Sequence, residues 1–378
     1  MTFGGFTVRL DGWDVDYGAE MQADFSATPD TDAAVDVSVE CTGAWLPIDP
    51  SSAAEPRTLA FIDGVRRLEA RLVVQSGQVT CYGAFGSYGV GCVVCAPGQE
   101  AQFADAMFGR HLIYGNGQSP EWPVRVGPEL EYQPLSTPDP EPDGPLEALH
   151  AAMRRAEAAI TQSPLIPVGG LRAGPLGVSS REVDRPPLIV CDGPLQDLGP
   201  AGGIDRRRIA QGPPPGVNER RTSRADRRAS ALRPSGPERR RLPDVVGLIK
   251  RVYKLYVPDS HRPVLGRLAA GQRTPVFLIG ADVRARYSWF IRLAAPGPAE
   301  SDLSGLVRLE VSAGAGLEAA RALADETASR LPAFAPSPAR DPRAPQNLMP
   351  FGALEDHLRH QMGDARLIRR KIVDLIAG

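Results

Sequence analysis

Two aspartates stand where carboxylates are costly. Asp63 interrupts the apolar run Leu59-Ala60-Phe61-Ile62-Asp63-Gly64-Val65, and Asp192 closes the run Leu188-Ile189-Val190-Cys191-Asp192. An unpaired buried carboxylate is unfavourable, so each needs a partner. A locally bonded Asp-Gly turn accounts for either one alone. Taken with Glu157 and Glu355, they are candidates for one acidic site. Clustered carboxylates repel one another and raise each other's pKa. Hard cations such as Mg²⁺ or Mn²⁺ prefer such oxygen donors and relieve the repulsion. Two ions roughly 3.5–4 Å apart can activate water and stabilise the leaving oxygen of a phosphodiester. The chain has 40 arginines but three lysines, Lys250, Lys254 and Lys371. Arginine serves almost everywhere else, so each retained lysine is worth attention.

Each candidate also has a plainer reading. Glu157 suits a solvated helix face, and Lys250 suits a lysine snorkelling from an apolar segment. Glu355 and His357 suit the outer face of a helix. Glu147 competes with Glu157, and Asp356 competes with Glu355 and His357. Glu69, six residues after Asp63, is a reserve candidate if no turn intervenes.

The elements that would position these groups follow from periodicity. Leu59–Val65, Glu69–Val74, Val79–Ala84 and Gly89–Ala96 read as four strands of an antiparallel meander. Residues 99–114 read as a helix. A Pro/Asp-rich connection at 134–145 leads into an alanine-rich helix at 146–160, with Leu146, Leu149, Met153 and Ile160 at helical spacing. Residues 186–195 suit a buried strand ending at Asp192. Apolar segments follow at 244–257, 274–280 and 287–294, then a strand at 305–313 and a helix at 316–331. One last helix is expected through 350–378, its stripe traced by Leu354, Leu358, Met362, Ala365, Ile368, Ile372 and Ile376.

That order is the order of the ribonuclease-H-like fold, an α/β class. Its central mixed sheet, flanked by helices, gathers acidic residues from distant points of the chain. The expected organisation is a strand-rich elaboration over 1–58 and a nuclease-like domain over 59–378. Four pieces carry a further likeness: Phe61-Ile62-Asp63-Gly64, the Arg-Arg-Ala-Glu helix ending at Glu157, Ile189-Val190-Cys191-Asp192-Gly193, and Val246 through Arg251. With the closing Pro345-Gln346-Asn347-Leu348 and Leu354-Glu355, the chain from about 59 to 375 resembles the bacterial branch of the NurA nucleases. The resemblance implies a manganese-dependent nuclease acting on DNA ends, a homodimer docked on a hexameric HerA-type ATPase. It implies Asp63, Glu157 and Asp192 as metal ligands and Lys250 beside the scissile phosphate. Glu355 or His357 would close the site.

Composition adds limits. The formal net charge is −2 over 378 residues, so the whole chain is not an evident polyanion binder. Between 205 and 241 there are twelve arginines and four acidic residues, in a Pro-rich stretch too poor in apolar residues to fold alone. The segment 201–243 is expected to be a disordered insertion or a basic arm on phosphates. Of five cysteines, Cys92 and Cys95 have half a zinc site's spacing, but no second pair follows, so reduced core thiols are expected. The N-terminus lacks a signal pattern and no run reaches the roughly 18 apolar residues of a membrane helix, which points to a soluble cytoplasmic protein without a membrane role. There is no GxxxxGK[ST] loop, so a motor would be a separate protein. The rival functions are a non-catalytic scaffold binding DNA or a partner ATPase, and a DNA-binding protein acting through the 201–243 arm.

Overall fold

The computed structural model describes residues 2–3, 6–10, 33–51, 56–162, 186–195 and 244–378, apart from positions 253, 283, 299, 338 and 340. The arginine-rich segment 201–243 and parts of 1–58 lie outside the described residues.

Strand β1 (Thr2–Phe3), strand β2 (Phe6–Leu10) and strand β3 (Val35–Asp36) come from the N-terminal part. Then three long strands, β4 (Leu59–Ser76), β5 (Val79–Cys95) and β6 (Gln102–Tyr114), form an antiparallel meander. Two of the three expected breaks do not exist: 59–76 and 79–95 are each one continuous strand. The polar residues Arg66, Arg67 and Glu69, which read as an interruption, are held within one strand by a bulge between Leu68 and Ala70. Residues 102–114 are also a strand rather than the expected helix. Phe103, Met107 and Phe108 have helix-like spacing, but pairing with β5 along nearly the whole strand overrides it.

After β7 (Val124–Gly127) and β8 (Leu130–Ser136), helix α1 (Gly144–Ile160) crosses back to β9 (Leu188–Asp192). Strand β9 runs parallel to β4, and β10 (Asp244–Ile249) runs parallel to β9. Helix α2 (Pro263–Arg267) precedes β11 (Phe277–Ile279), β12 (Arg286–Arg292) and β13 (Leu306–Ser312), which continue the sheet antiparallel. The order is β3-β11-β12-β13-β10-β9-β4-β5-β6-β8-β7, with β2 on the far half of β4. The protein is therefore a mixed α/β structure built on one large mixed sheet flanked by helices. The described pieces of 1–58 add strands at two places in that sheet.

Alternation along the strands divides the core by face. Leu59, Phe61, Leu188, Val190, Val246 and Leu248 pack with α3 (Leu317–Arg330) and α4 (Met349–Gln361). Ala60, Ile62, Cys92, Ile189 and Cys191 pack with Met153, Ala156 and Ile160 of α1. Cys92 is thus a buried thiol, which burial pushes up to about 12. The expected last helix is two helices. Gly363 breaks it at φ 84°, and Asp364 starts α5 (Ala365–Ala377) by accepting the Leu367 N–H at 2.8 Å. The apolar stripe is split accordingly. Leu354, Leu358 and Met362 join the α3 core, while Ile368, Ile372 and Ile376 pack under the far half of β4 and β5. No helix among the described residues is long and apolar enough to cross a membrane.

Candidate functional site

Strand β4 fixes Asp63. By alternation it shares the face of Phe61 and α4, and it is only 5% exposed. The parallel pairing of β4 with β9 ends at Ile62 and Cys191, so Asp192 stands one step further on, in the neighbouring strand. Neighbouring strands lie about 4.8 Å apart. Strand β9 stops there, and Gly193 turns the chain at φ 86°, while β4 continues. Strand β10 reaches the same level, with Leu248 opposite Asp192, and Lys250 follows its end. Two parallel strands thus end beside a longer one, and the charged groups collect at that step.

The Lys250 ammonium is at the centre. It donates to Asp192 Oδ2 at 2.9 Å and to Asn347 Oδ1 at 2.7 Å. Glu355 Oε1 is 4.0 Å away, and the Phe351 ring lies 4.5 Å below. Burial disfavours its charge, but Asp192, Asp63 and Glu355 outweigh that and raise its pKa. Asp63 Oδ1 accepts the Gly64 N–H at 2.7 Å. Its Oδ2 is buried and has no hydrogen-bond partner among the described residues. Burial, then the charge of Asp192, then Glu355 and Glu157, hold the Asp63 carboxyl well above the usual range, with Lys250 opposing them.

Glu157 approaches from the other face. A Cβ on Gly64 would lie 2.7 Å from Glu157 Oε1, so glycine after Asp63 is what lets this carboxylate reach β4. Arg154, one turn earlier on α1, donates to Glu157 Oε2 at 2.5 Å, to the Asp192 carbonyl at 2.9 Å and to the Pro194 carbonyl at 3.2 Å. It fastens α1 to the turn that carries Asp192.

Helix α4 brings Glu355. Its Leu354 and Leu358 settle over two glycines of β5: a Cβ on Gly91 would meet Leu354 Cδ1 at 3.0 Å, and one on Gly89 would meet Leu358 Cβ at 3.6 Å. Glu355 accepts two bonds from Arg343 Nη1, at 3.0 and 2.8 Å, and one from Arg359 at 3.0 Å. Asn347 bridges Lys250 to Asp341, donating to Asp341 Oδ2 at 2.8 Å.

Asp63, Asp192, Lys250 and Glu355 are therefore brought together on one face, and Glu157 reaches them around Gly64. His357 is not part of the group. Its ring stacks on Phe103 of β6, with centroids 4.1 Å apart, and Gln361 contacts its Nε2 at 3.3 Å. Among the competitors, Glu147 is exposed in the first turn of α1, and Asp356 is exposed and paired with Arg359 at 3.5 Å. Glu69 is buried elsewhere, at the β4 bulge, bonded to Ser87 and to Arg67 at 3.4 Å. Six residues of strand separate it from Asp63 by about 20 Å. Arg67 and Arg110 beside it hold the Met362 and Gly363 carbonyls, so that polar group pins the corner between α4 and α5.

Three participants had no role assigned from the sequence: Arg154, Arg343 and Asn347. Arg154 lies three residues before Glu157, the spacing of a helix ion pair, which was a usable signal. Asn347 lay within the Pro-Gln-Asn-Leu motif without a stated partner. Arg343 carries no local signal, because its partner Glu355 is set by the fold.

The oxygen donors of Asp63, Asp192, Glu157 and Glu355, together with the unsatisfied Asp63 Oδ2, fit the chemistry of a hard divalent cation. As they stand, however, no group of three or more His, Cys, Asp or Glu side chains among the described residues is arranged to hold a metal ion. The Lys250 ammonium stands among them instead. Comparison with protein-family models and with curated proteins gives no match for the chain.

Proposed function

We propose that the chain is a metal-dependent DNA nuclease of the NurA kind, which processes DNA ends by hydrolysing phosphodiester bonds. The observation that carries this reading is the meeting of Asp63, Asp192 and Glu355 around Lys250, with Glu157 beside Asp63. A ribonuclease-H-like core is supported by the sheet order β6-β5-β4-β9-β10, a meander followed by two strands parallel to its first, with α1 between.

Asp63, Asp192 and Glu157 would hold Mn²⁺ or Mg²⁺, which supplies an activated water and charge neutralisation at the phosphate. Lys250, displaced from Asp192 or still bonded to Asn347, is a point cation aimed at developing negative charge on a phosphoryl oxygen. Arg343 and Arg359 hold Glu355 in place by hydrogen bonds. Arg154 keeps Glu157 in place and ties it to the Asp192 turn. Contacts of this kind read backbone rather than sequence, so cleavage is expected at ends of any sequence. On this reading the protein works as a homodimer with a HerA-type ring ATPase in DNA repair or phage defence.

A second reading has its own observation. Three of the four carboxylates have a cation within reach: Lys250 for Asp192, Arg154 for Glu157, and Arg343 with Arg359 for Glu355. A self-neutralised cluster can be a structural remnant in a non-catalytic scaffold that binds DNA or a partner ATPase. Degradation of linear duplex DNA in Mn²⁺ or EDTA, with wild type and Asp63→Asn, with and without the ATPase, separates the two. Nuclease activity requires loss in EDTA and in the variant. No cleavage under any condition leaves the scaffold, and equal cleavage by both proteins rejects Asp63 as catalytic.

A further inference from the structure

A fully buried carboxylate outside the charged group reaches the backbone that carries it. Glu310 of β13 is 0% exposed and lies on the sheet face opposite Leu309 and Val311, which pack with α3. Its Oε2 accepts from Arg286 Nε at 3.0 Å and from Arg308 Nη1 at 2.9 Å. Its Oε1 accepts the Leu195 N–H at 2.8 Å, across strand β10. Gly247 of β10 stands opposite Glu310 in the ladder, and its lack of a side chain leaves that route open. A Cβ on Gly247 would lie 2.7 Å from the Gly193 carbonyl oxygen and 3.1 Å from the Leu195 nitrogen. The turn from Asp192 to Leu195 is thereby held from two sides. Arg154 of α1 donates to the Asp192 and Pro194 carbonyls, the Gly193 N–H donates to the Leu248 carbonyl at 2.9 Å, and Glu310 takes the remaining amide.

We infer that Glu310 is a positioning residue: by holding the Leu195 amide, it fixes the turn that sets Asp192 beside Asp63. This rests on the reading that Asp63 and Asp192 hold a divalent cation. A cation that takes the place of the Lys250 ammonium then finds Asp192 already placed, because its turn is fixed through the backbone and not through its carboxylate. A ligand held in its productive geometry beforehand binds metal more tightly. The residue type follows from the donors. Three N–H groups converge on Glu310 from two directions, and an ionised carboxylate accepts on both oxygens. An amide in its place would turn its NH₂ either on Leu195 or on the arginines. Apolar residues of similar volume often serve stability as well as a buried ion pair does, but none of them accepts the Leu195 N–H.

The test is Mn²⁺ binding by the full chain without DNA, followed by the EPR signal of free Mn²⁺, with melting in EDTA as the check on folding. Glu310→Gln breaks the match between acceptor and donors. Gly247→Ala leaves Glu310 and its arginines intact and wedges the turn instead. Each should weaken Mn²⁺ binding about tenfold or more. Thr327→Val removes the hydroxyl that accepts from Trp289 Nε1 at 3.1 Å on the opposite face of the sheet; it should lower the melting temperature and leave Mn²⁺ binding within about twofold. Wild-type affinity in folded Glu310→Gln and Gly247→Ala overturns the inference, as does an equal loss in Thr327→Val. If Glu310→Gln does not fold, Gly247→Ala decides. If neither folds while Thr327→Val does, Glu310 is a determinant of the fold and the inference falls. The metal reading is judged by Asp63→Asn in the same titration. If wild type binds Mn²⁺, Asp63→Asn does not, and the other two variants bind normally, only the positioning role falls. If wild type shows no Mn²⁺ binding that Asp63→Asn loses, the metal reading falls and the positioning role with it.

Discussion

Replacing Asp63 by asparagine should make the metal-free protein more stable. Oδ1 would still accept the Gly64 N–H, so that bond is kept. The buried Oδ2, which accepts nothing among the described residues, becomes an NH₂ donor in a setting where the charges of Asp192 and Glu355 disfavour a carboxylate. A buried polar group left unsatisfied costs about 1–3 kcal/mol, and more when charged. Loss of the attraction to Lys250 offsets part of the gain, but the carboxyl is held above its normal range, so the net environment disfavours its charge. The expected gain is about 1–3 kcal/mol, which for a chain of this size is roughly 1–4 °C in Tm. The sign with pH follows from linkage. A carboxyl raised in the fold binds its proton more tightly than in the unfolded chain, so the penalty is full above the folded pKa and fades as pH falls toward about 3.9. The gap between Asp63→Asn and wild type should therefore be wide at pH 8 and narrow at pH 5. Calorimetric melts in EDTA measure it. Adding Mn²⁺ should close or reverse the gap, because a cation at one hundred times its Kd adds about 2.7 kcal/mol to wild type alone. A variant less stable than wild type at pH 8, or a gap that ignores pH, refutes the claim that Asp63 is an unsatisfied carboxylate kept for function.

Four further outcomes are expected. Lys250→Met leaves Asp192 and Glu355 without their shared ammonium and should cost about 3–5 kcal/mol in EDTA, partly recovered by Mg²⁺ or Mn²⁺; equal loss in both buffers counts against a cation site. Gly64→Ala places a Cβ 2.7 Å from Glu157 Oε1, so cleavage should fall at least tenfold, while urea melts show about 1–3 kcal/mol of destabilisation. Arg154→Met removes the guanidinium paired with the buried Glu157 carboxylate and should destabilise the fold by about 3–5 kcal/mol, read by denaturant unfolding. His357→Ala should leave cleavage within about twofold of wild type, since the ring stacks on Phe103 and touches none of the charged group.

The nearness of Asp63 and Asp192 was more legible in the sequence than the elements around them. Asp63 and Asp192 were visible because each breaks or ends an apolar run, and the parallel pairing of β4 with β9 makes them neighbours. Glu157 could not be separated from Glu147 by helical position alone. What separates them is Gly64, which admits one carboxylate, and the exposure of the other. Glu355, Asp356 and His357 lie within three residues, and only the seating of Leu354 and Leu358 on Gly91 and Gly89 decides which points inward. The long strands were obscured because Arg67 and Glu69 are polar for a tertiary reason, the carbonyls of the α4–α5 corner. Strand β6 was read as a helix because pairing, which carries no local signature, governs it. Lys250 was conspicuous by rarity, but its bond to Asn347, 97 residues later, is a property of the fold alone.

The most direct measurement is anomalous diffraction from crystals soaked in Mn²⁺ at neutral pH. A manganese peak bounded by Asp63 and Asp192, with the Lys250 ammonium moved off Asp192, is the predicted result. A map with no peak there, and with Lys250 still bonded to Asp192 at saturating manganese, contradicts the account.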